Sequence, residues 1–380
     1  MNSPLKIMIV AGEASGDTHG AKLVEAIKEA AGGEVRFFGS AGPKMRAAGV
    51  SAVVEADRLS VVGLVEVARA LPMFLSAKKK LEQAAAAETP DAAILVDFPE
   101  FNLKLARSLK KLGIPVIQYI APQVWAWREY RVNALRRNCD LLLTILPFEE
   151  AWFKKRGLEH VEYVGSPLAR EVSATKDRTE FARENGLDPE RPIIAMLPGS
   201  RHKEIVRILP VLVETCELLA ERDASRQFVV PLATEKCLSD AREALNASEL
   251  PFTVVVGETY NALNAADAAA VTSGTATLEA GIIGTPMAIV YKTSTLNYKI
   301  FAPMISVEHY GLINLIAGER VVKEIVQDEL TADALADEIE RLLQPDVNKE
   351  VRAKLHAAAE KLGHGGASKR AATAILRCIA

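Results

Sequence analysis

Two stretches in the C-terminal half carry groups suited to holding phosphate. In LPGSRHKEI (197–205) a glycine turn opens a helix, so Gly199 and Ser200 bring unpaired backbone N–H groups and the partial positive charge of a helix start to one place. Arg201 adds a guanidinium fork, the geometry that matches a diphosphate. In SGTATLE (273–279), Gly274 lets backbone approach a ligand closely and Ser273, Thr275 and Thr277 supply hydroxyls. Glu279, one turn into that helix, has the acceptors to take both hydroxyls of a ribose. Two anion sites in one half point to a nucleoside diphosphate. The plainer readings are a strand-to-helix turn with a surface arginine, and a capping-box carboxylate at Glu279.

The N-terminal half carries groups for acid–base work and for sugars. AGEASGDTHGA (11–21) gathers Glu13, Ser15, Asp17 and His19, either around a substrate or as a helix start with Ser15 or Asp17 as its cap and His19 merely exposed. AAILVDF (92–98) delivers Asp97 at the end of a buried strand, where desolvation raises a carboxylate pKa and makes a better general base. The alternative is that Asp97 caps the following helix, which also carries Asn102. APQVWAWREYRVNALRR (121–137) sets Gln123 and Arg128 beside two tryptophans, a platform for an acceptor bearing sugar and phosphate. Arg131 and Arg136 read as a solvated basic face. The apolar stretch 59–80 ends in three lysines and suits a membrane interface or acyl chains, or else a core helix with a basic end.

Absent signatures narrow the chemistry. There is no GxGxxG, no GxxxxGK[ST] and no Asp-x-Asp, so a nicotinamide enzyme, a P-loop NTPase and a transferase holding its diphosphate through metal each lack their usual mark. No metal and no cofactor is expected, and helix ends with Arg201 are left to neutralise a departing diphosphate.

The elements that position these groups follow from length and rhythm. A chain of 380 residues exceeds the roughly 250–300 at which one core stops growing. Short apolar runs at 6–12, 35–42, 92–98, 115–121 and 141–148 alternate with helical segments, and the rhythm restarts at 192–199, 227–233, 252–257, 269–274 and 286–291. Continuous apolar strands between helices mean parallel sheets covered on both faces. The fold class is therefore α/β, two tandem Rossmann-like domains facing a cleft, with a helical C-terminal segment. The expected bounds are 1–170, 171–340 and 341–380, the last packing back on the first domain. Ligands of such sheets bind beyond the C-terminal strand ends.

A net charge of −3 gives no general attraction for nucleic acid. The cysteines at 139, 216, 237 and 378 show no metal or disulfide spacing, which reads as structural thiols in a reducing compartment. The N-terminus runs directly into a strand pattern rather than a leader, so a cytoplasmic location is expected. Glu66, Arg69 and Pro72 break the longest apolar stretch, which rules it out as an ordinary membrane span.

The blocks AGEASGD, LVDFPEFN, YIAPQVWAW, LPFE, LPGSR with the following EI, and SGTATLE resemble the lipid-A-disaccharide synthase family, in order and across nearly the whole chain. That resemblance implies an inverting transferase of the glycosyltransferase-B fold at the cytoplasmic face of the inner membrane. It would move diacylglucosamine from UDP-2,3-diacylglucosamine to 2,3-diacylglucosamine 1-phosphate, giving a β1→6 disaccharide and UDP. It also implies Asp97 as base and Arg201 and Glu279 in the nucleotide site, while Glu13 and His19 are assigned to the catalytic group from the polar loop they share. Asn314 and Gln327 would complete the donor pocket, and a homodimer is a candidate assembly. Ile313, Lys323 and Ser166 depart from the residues usual there. Competing readings are another UDP-sugar enzyme of the same fold, such as an epimerase, and a nucleotide-sugar or lipid binder without turnover.

Overall fold

The central strands of the first unit are largely apolar because they are covered on both faces. In β1 (Leu5–Val10), Ile7 and Ile9 pack with Leu23 and Ile27 on one face. Met8 and Val10 pack with Leu81, Leu105 and Phe153 on the other. Period-two alternation therefore sends each of Ile7 to Val10 into one core or the other, while Lys6, nearer the strand start, pairs with Glu88 at the surface. The computed structural model describes residues 4–59, 64–294, 307–363 and 365–380.

The first unit, Met1–Pro167 with His364–Ala380, is built on β1, β2 (Val35–Ala41), β3 (Val50–Glu55), β4 (Ala92–Val96), β5 (Val116–Tyr119), β6 (Leu141–Thr144) and β7 (Val161–Tyr163). They form one parallel sheet in the order β3-β2-β1-β4-β5-β6-β7. The second unit, Leu168–Gly363, holds β8 (Ile193–Leu197), β9 (Gln227–Leu232), β10 (Phe252–Val256), β11 (Ala268–Thr272), β12 (Met287–Tyr291) and β13 (Glu324–Val326). Its order, β10-β9-β8-β11-β12-β13, is the same doubly wound pattern, again parallel. Two α/β units with parallel sheets are what the alternating rhythm predicts.

Three strands escape the sequence pattern, and all three lie at sheet edges. β3 exposes half its residues, while β7 and β13 are three residues long. An edge strand is covered less, so its apolar signal is weaker.

Strand order reverses between β1 and β4 in the first sheet and between β8 and β11 in the second, and such switch points are where open α/β sheets bind ligands. The turns and first helical residues after these four strands hold residues 11–19, 97–102, 199–201 and 273–277.

The helices Ala332–Leu343 and Pro345–Glu360 belong to the second unit. The helix Ala367–Ile379 belongs to the first, where Ala371, Ala372, Ala374 and Ile375 join the core beside the helix Ala14–Ala30. Arg370 Nε donates to the Val164 carbonyl (2.8 Å) and Lys369 pairs with Glu29 (3.0 Å).

Within the apolar stretch 59–80, residues 60–63 and the side chains of 64–70 lie outside the described residues. The rest belongs to the helix Leu64–Glu88, which buries Ala77 and Leu81 and exposes Leu71 (51%) and Leu75 (60%). No helix among the described residues is long and apolar enough to cross a membrane.

Candidate active site

β4 ends at Val96, and the next two residues turn through left-handed backbone, Asp97 at φ 45° and Phe98 at φ 50°. Phe98, not Asp97, occupies the cap position of the helix Pro99–Lys111, and Pro99 supplies the fixed φ of its first turn. The Asp97 side chain is thereby left for other work. Burial, with the charge of Glu13 added, pushes its carboxyl up to about 6, against the pull of the Phe98 N–H. The Phe98 ring lies over Gly12, where an added Cβ would sit 2.3 Å from a ring carbon, so any larger residue would push the turn away from the β1 loop. Phe74 and Phe101 close around Phe98 with ring centroids 6.1 and 5.6 Å away. The helix Leu64–Glu88 thus packs directly behind the Asp97 turn.

Asn102 is fully buried, and both its bonds go to backbone, from Nδ2 to the Val96 carbonyl (3.2 Å) and the Asp97 carbonyl (2.7 Å). It braces the turn from below instead of facing outward, as a substrate contact would have to.

Glu13 is exposed at the start of the helix Ala14–Ala30 and makes no capping bond, so its charge is available to Asp97. Ser15 is exposed, and His19, partly exposed, stands one helical turn on along the same face. Asp17 departs from both expectations for it. It is 4% exposed, and its carboxylate accepts the Lys44 N–H (2.9 Å) and the Met45 N–H (3.0 Å). It caps the helix Pro43–Ala47 rather than its own, and a Cβ at Gly42 would fall 2.5 Å from its Cγ. Asp17→Ala should therefore lower stability by about 1–2 kcal/mol, the cost of a lost buried cap. A thermal melt checks this, and UDP affinity should not move; an unchanged melting temperature would show the cap to be dispensable.

After β5, Gln123 is exposed. Trp125 is buried and donates its indole N–H to Glu149 Oε1 (2.9 Å), while Glu149 Oε2 accepts the N–H groups of Ile145 (3.1 Å) and Leu146 (3.0 Å). Burial pushes Glu149 up to about 7, with the charge of Asp97 adding and those three donors opposing. Arg128, at φ 59°, stacks over Trp127 at 4.0 Å from the ring centroid and pairs with Glu100 (2.6 Å). Arg131 joins the same carboxylate, so it is tied into this cluster rather than standing on a solvated face. Arg136 bonds within its own helix, to Asn133.

In the second unit, Gly199 has φ 103° and the helix His202–Arg222 follows. The N–H groups of Ser200 and Arg201 donate to Glu204 Oε2 (3.2 and 3.3 Å), and Arg201 Nη1 pairs with Glu204 Oε1 (2.7 Å). The expected phosphate cradle is thus held closed by an internal carboxylate, while the Arg201 side chain remains 72% exposed.

Gly274, at φ 155°, precedes the helix Thr275–Ile283, and Thr275 is exposed at its start. Ser273 donates to the Tyr310 carbonyl (3.0 Å), and the buried Thr277 hydroxyl donates back to the Gly274 carbonyl (2.9 Å), so both brace the turn. Glu279 is not a cap. It accepts the Tyr260 hydroxyl (3.1 Å), and burial raises its pKa against that bond.

Asn314 and Gln327 stand inside the fold. Asn314, fully buried, donates to the Val322 carbonyl (2.8 Å) and Glu324 (2.9 Å) and accepts the Val322 N–H (3.1 Å). Gln327, at φ 56°, accepts the Thr293 N–H (2.6 Å) and donates to the Thr293 carbonyl (3.3 Å). Among the described residues their amides bond to the loops beyond β12. Among the described residues no three His, Cys, Asp or Glu side chains are grouped to hold a metal ion.

Sequence reasoning passes over Gln118, Glu149, Glu204 and Tyr260. Gln118 left one signal, a lone amide in an otherwise apolar strand. Glu149 sits within the LPFE block but was given no role there.

The doubly wound sheets, with polar loops at both switch points, place the chain in the glycosyltransferase-B fold class. A putative UDP-N-acetylglucosamine 2-epimerase from Listeria monocytogenes superposes with a TM-score of 0.64 at 16% identity, covering 98% of this chain and 96% of that one. The calicheamicin glycosyltransferase CalG4 superposes with a TM-score of 0.60 at 15% identity, covering 99% and 98%. The chain belongs to the lipid-A-disaccharide synthetase family, which it matches over residues 7–377. The lipid-A-disaccharide synthase of Geobacter metallireducens is 43% identical over 376 residues, 98% of this chain and 97% of that protein.

Proposed function

We propose that this chain transfers 2,3-diacylglucosamine from UDP-2,3-diacylglucosamine to 2,3-diacylglucosamine 1-phosphate, with Asp97 as the base. The observation that carries the assignment of Asp97 is its position: a carboxylate raised to about 6, at the switch point of the first sheet, in a turn that frees it from capping. Asp97 takes the proton of the acceptor 6-hydroxyl as that oxygen attacks the anomeric carbon. The bond from that carbon to the UDP oxygen breaks on the opposite face, and a single displacement inverts the centre. Charge develops on the departing diphosphate, where Arg201 and the helix starts after Gly199 and Gly274 receive it. Glu204 gives up the Ser200 and Arg201 N–H groups when the diphosphate takes them. Glu279 accepts the ribose hydroxyls.

In the first unit, Glu13 keeps Asp97 basic, while the exposed Ser15 and Gln123 and the partly exposed His19 offer hydrogen-bonding groups to the acceptor sugar. Arg128, stacked on Trp127, meets the acceptor phosphate. Asp17, Asn102, Asn314 and Gln327 act through the backbone they hold. The first unit is thus the acceptor side and the second the donor side. The exposed Leu71 and Leu75 suit acyl chains at the cytoplasmic face of the inner membrane, where both substrates reside.

The test is UDP release from the purified protein given both acylated sugars. Release should require the acylated acceptor, and kcat/KM should fall below about pH 6 as Asp97 becomes protonated and loses its capacity to accept the acceptor proton. Epimerisation of a non-acylated UDP-sugar with no acceptor present would favour the epimerase reading instead. A flat profile down to pH 5 would remove Asp97 from the role.

A further inference from the structure

β5 is buried throughout, and its one amide, Gln118, is 1% exposed. A buried amide must find acceptors for its hydrogens, and Gln118 places them on backbone at two strand ends. Nε2 donates to the Asp97 carbonyl and to the Ile120 carbonyl, both at 3.3 Å. These are the places where the backbone leaves ordinary geometry. Asp97, Phe98 and Ile120 have φ of 45°, 50° and 64°, none of them glycine. Left-handed backbone crowds a Cβ, most of all that of a β-branched residue such as Ile120, and such turns persist only where their surroundings over-determine them.

The surroundings here can be traced bond by bond. The Asp97 N–H donates to the Tyr119 carbonyl (2.9 Å), which continues the β4–β5 pairing through the turn. Its carbonyl accepts from Asn102 on the following helix and from Gln118 on the neighbouring strand. Asn102 is local and forms with the helix it belongs to. Gln118 is 21 residues away in sequence and ties the turn to the sheet. With one peptide group of Asp97 held by Tyr119 and the next by Gln118, the direction of its side chain is fixed relative to β5.

We infer that Gln118 is a positioning residue: by bridging the Asp97 and Ile120 carbonyls it holds the left-handed turn that aims the Asp97 carboxylate, and so serves the rate of transfer rather than substrate affinity. This rests on Asp97 being the base. Gln118→Met keeps the unbranched shape and removes both donor bonds. It should lower kcat by roughly 10- to 100-fold, the scale of a small misplacement of a reacting group. KM for both sugars and the Kd of UDP should stay within about threefold, since no binding group has been removed. The acidic limb of the rate profile, set by Asp97, which burial and Glu13 raise and whose own charge raises Glu149, should move to lower pH as the turn relaxes and the carboxylate gains water.

A double-mutant cycle separates positioning from general damage. In an Asp97→Asn background Gln118→Met should cost nothing further, because it acts only through the missing base. An equal fold-loss in both backgrounds, or an unchanged kcat in the single variant, overturns the inference. Should Gln118→Met fail to fold, Gln118→Glu, which keeps the shape and replaces the donor amide with a carboxyl group, is read by the same cycle. If Asp97→Asn alone keeps the full rate, the base assignment itself has failed, an outcome distinct from failure at Gln118.

Discussion

Asp97→Asn is expected to abolish transfer, lowering kcat by about 10³-fold, within the range general-base removal commonly gives, while the Kd of UDP stays unchanged. Asparagine is the informative replacement because of the backbone. At φ 45° an alanine would add the steric cost of a left-handed Cβ with no local compensation, whereas Asn tolerates that region nearly as well as Asp. Asn also keeps an oxygen for the Phe98 N–H and nearly the same side-chain volume. A loss of rate in this variant therefore reports the missing base and not a collapsed turn. The acidic limb near pH 6 should vanish with it, leaving a low, flat rate. Single-turnover measurement with saturating donor and acceptor reads the effect directly, and calorimetry with UDP reads the donor side. Retention of a tenth or more of the rate would leave the displacement without its base.

Arg201→Ala should act on the other half of the reaction. The side chain is 72% exposed and pairs with Glu204, so its removal disturbs little of the core. Facing a diphosphate, its fork makes charge-assisted bonds of roughly 1.5–3 kcal/mol, which corresponds to a rise in donor KM of about 10- to 150-fold. Because charge on the leaving oxygen grows during the displacement, kcat should fall as well. Arg201→Lys should recover part of the charge effect and little of the bidentate geometry. UDP titration with kinetics in both variants separates these contributions. Unchanged UDP affinity in Arg201→Ala would move the diphosphate away from the helix start after Gly199.

The architecture was legible wherever burial was complete. β1, β4, β8 and β11 are covered on both faces, so their composition alone announces them and the loops that follow. β3, β7 and β13 were not legible because β3 exposes half its residues and β7 and β13 are only three residues long. The residue types at the site were legible too, but the direction in which each side chain is used was not. Asp17 reads like a ligand or a local cap, yet its partners are N–H groups 27 and 28 residues away. Asn102 bonds to the turn just before its own helix, and Asn314 and Gln327 bond across loops, partners that no local pattern announces. The left-handed turn at Asp97 depends on the amide of Gln118, a bond between strands that no local pattern encodes. Local propensity says what a residue can do, and tertiary partners decide which of its atoms remain available to do it.

The helix Ala367–Ile379 lies at the far end of the chain from β1 and yet lines the same core. During synthesis the ribosome releases β1 to β7 long before that helix emerges, and until it does, the helix Ala14–Ala30 has an uncovered greasy flank. The first unit to be translated is therefore the last to be finished. Its neighbour, whose residues are consecutive, can mature while it waits.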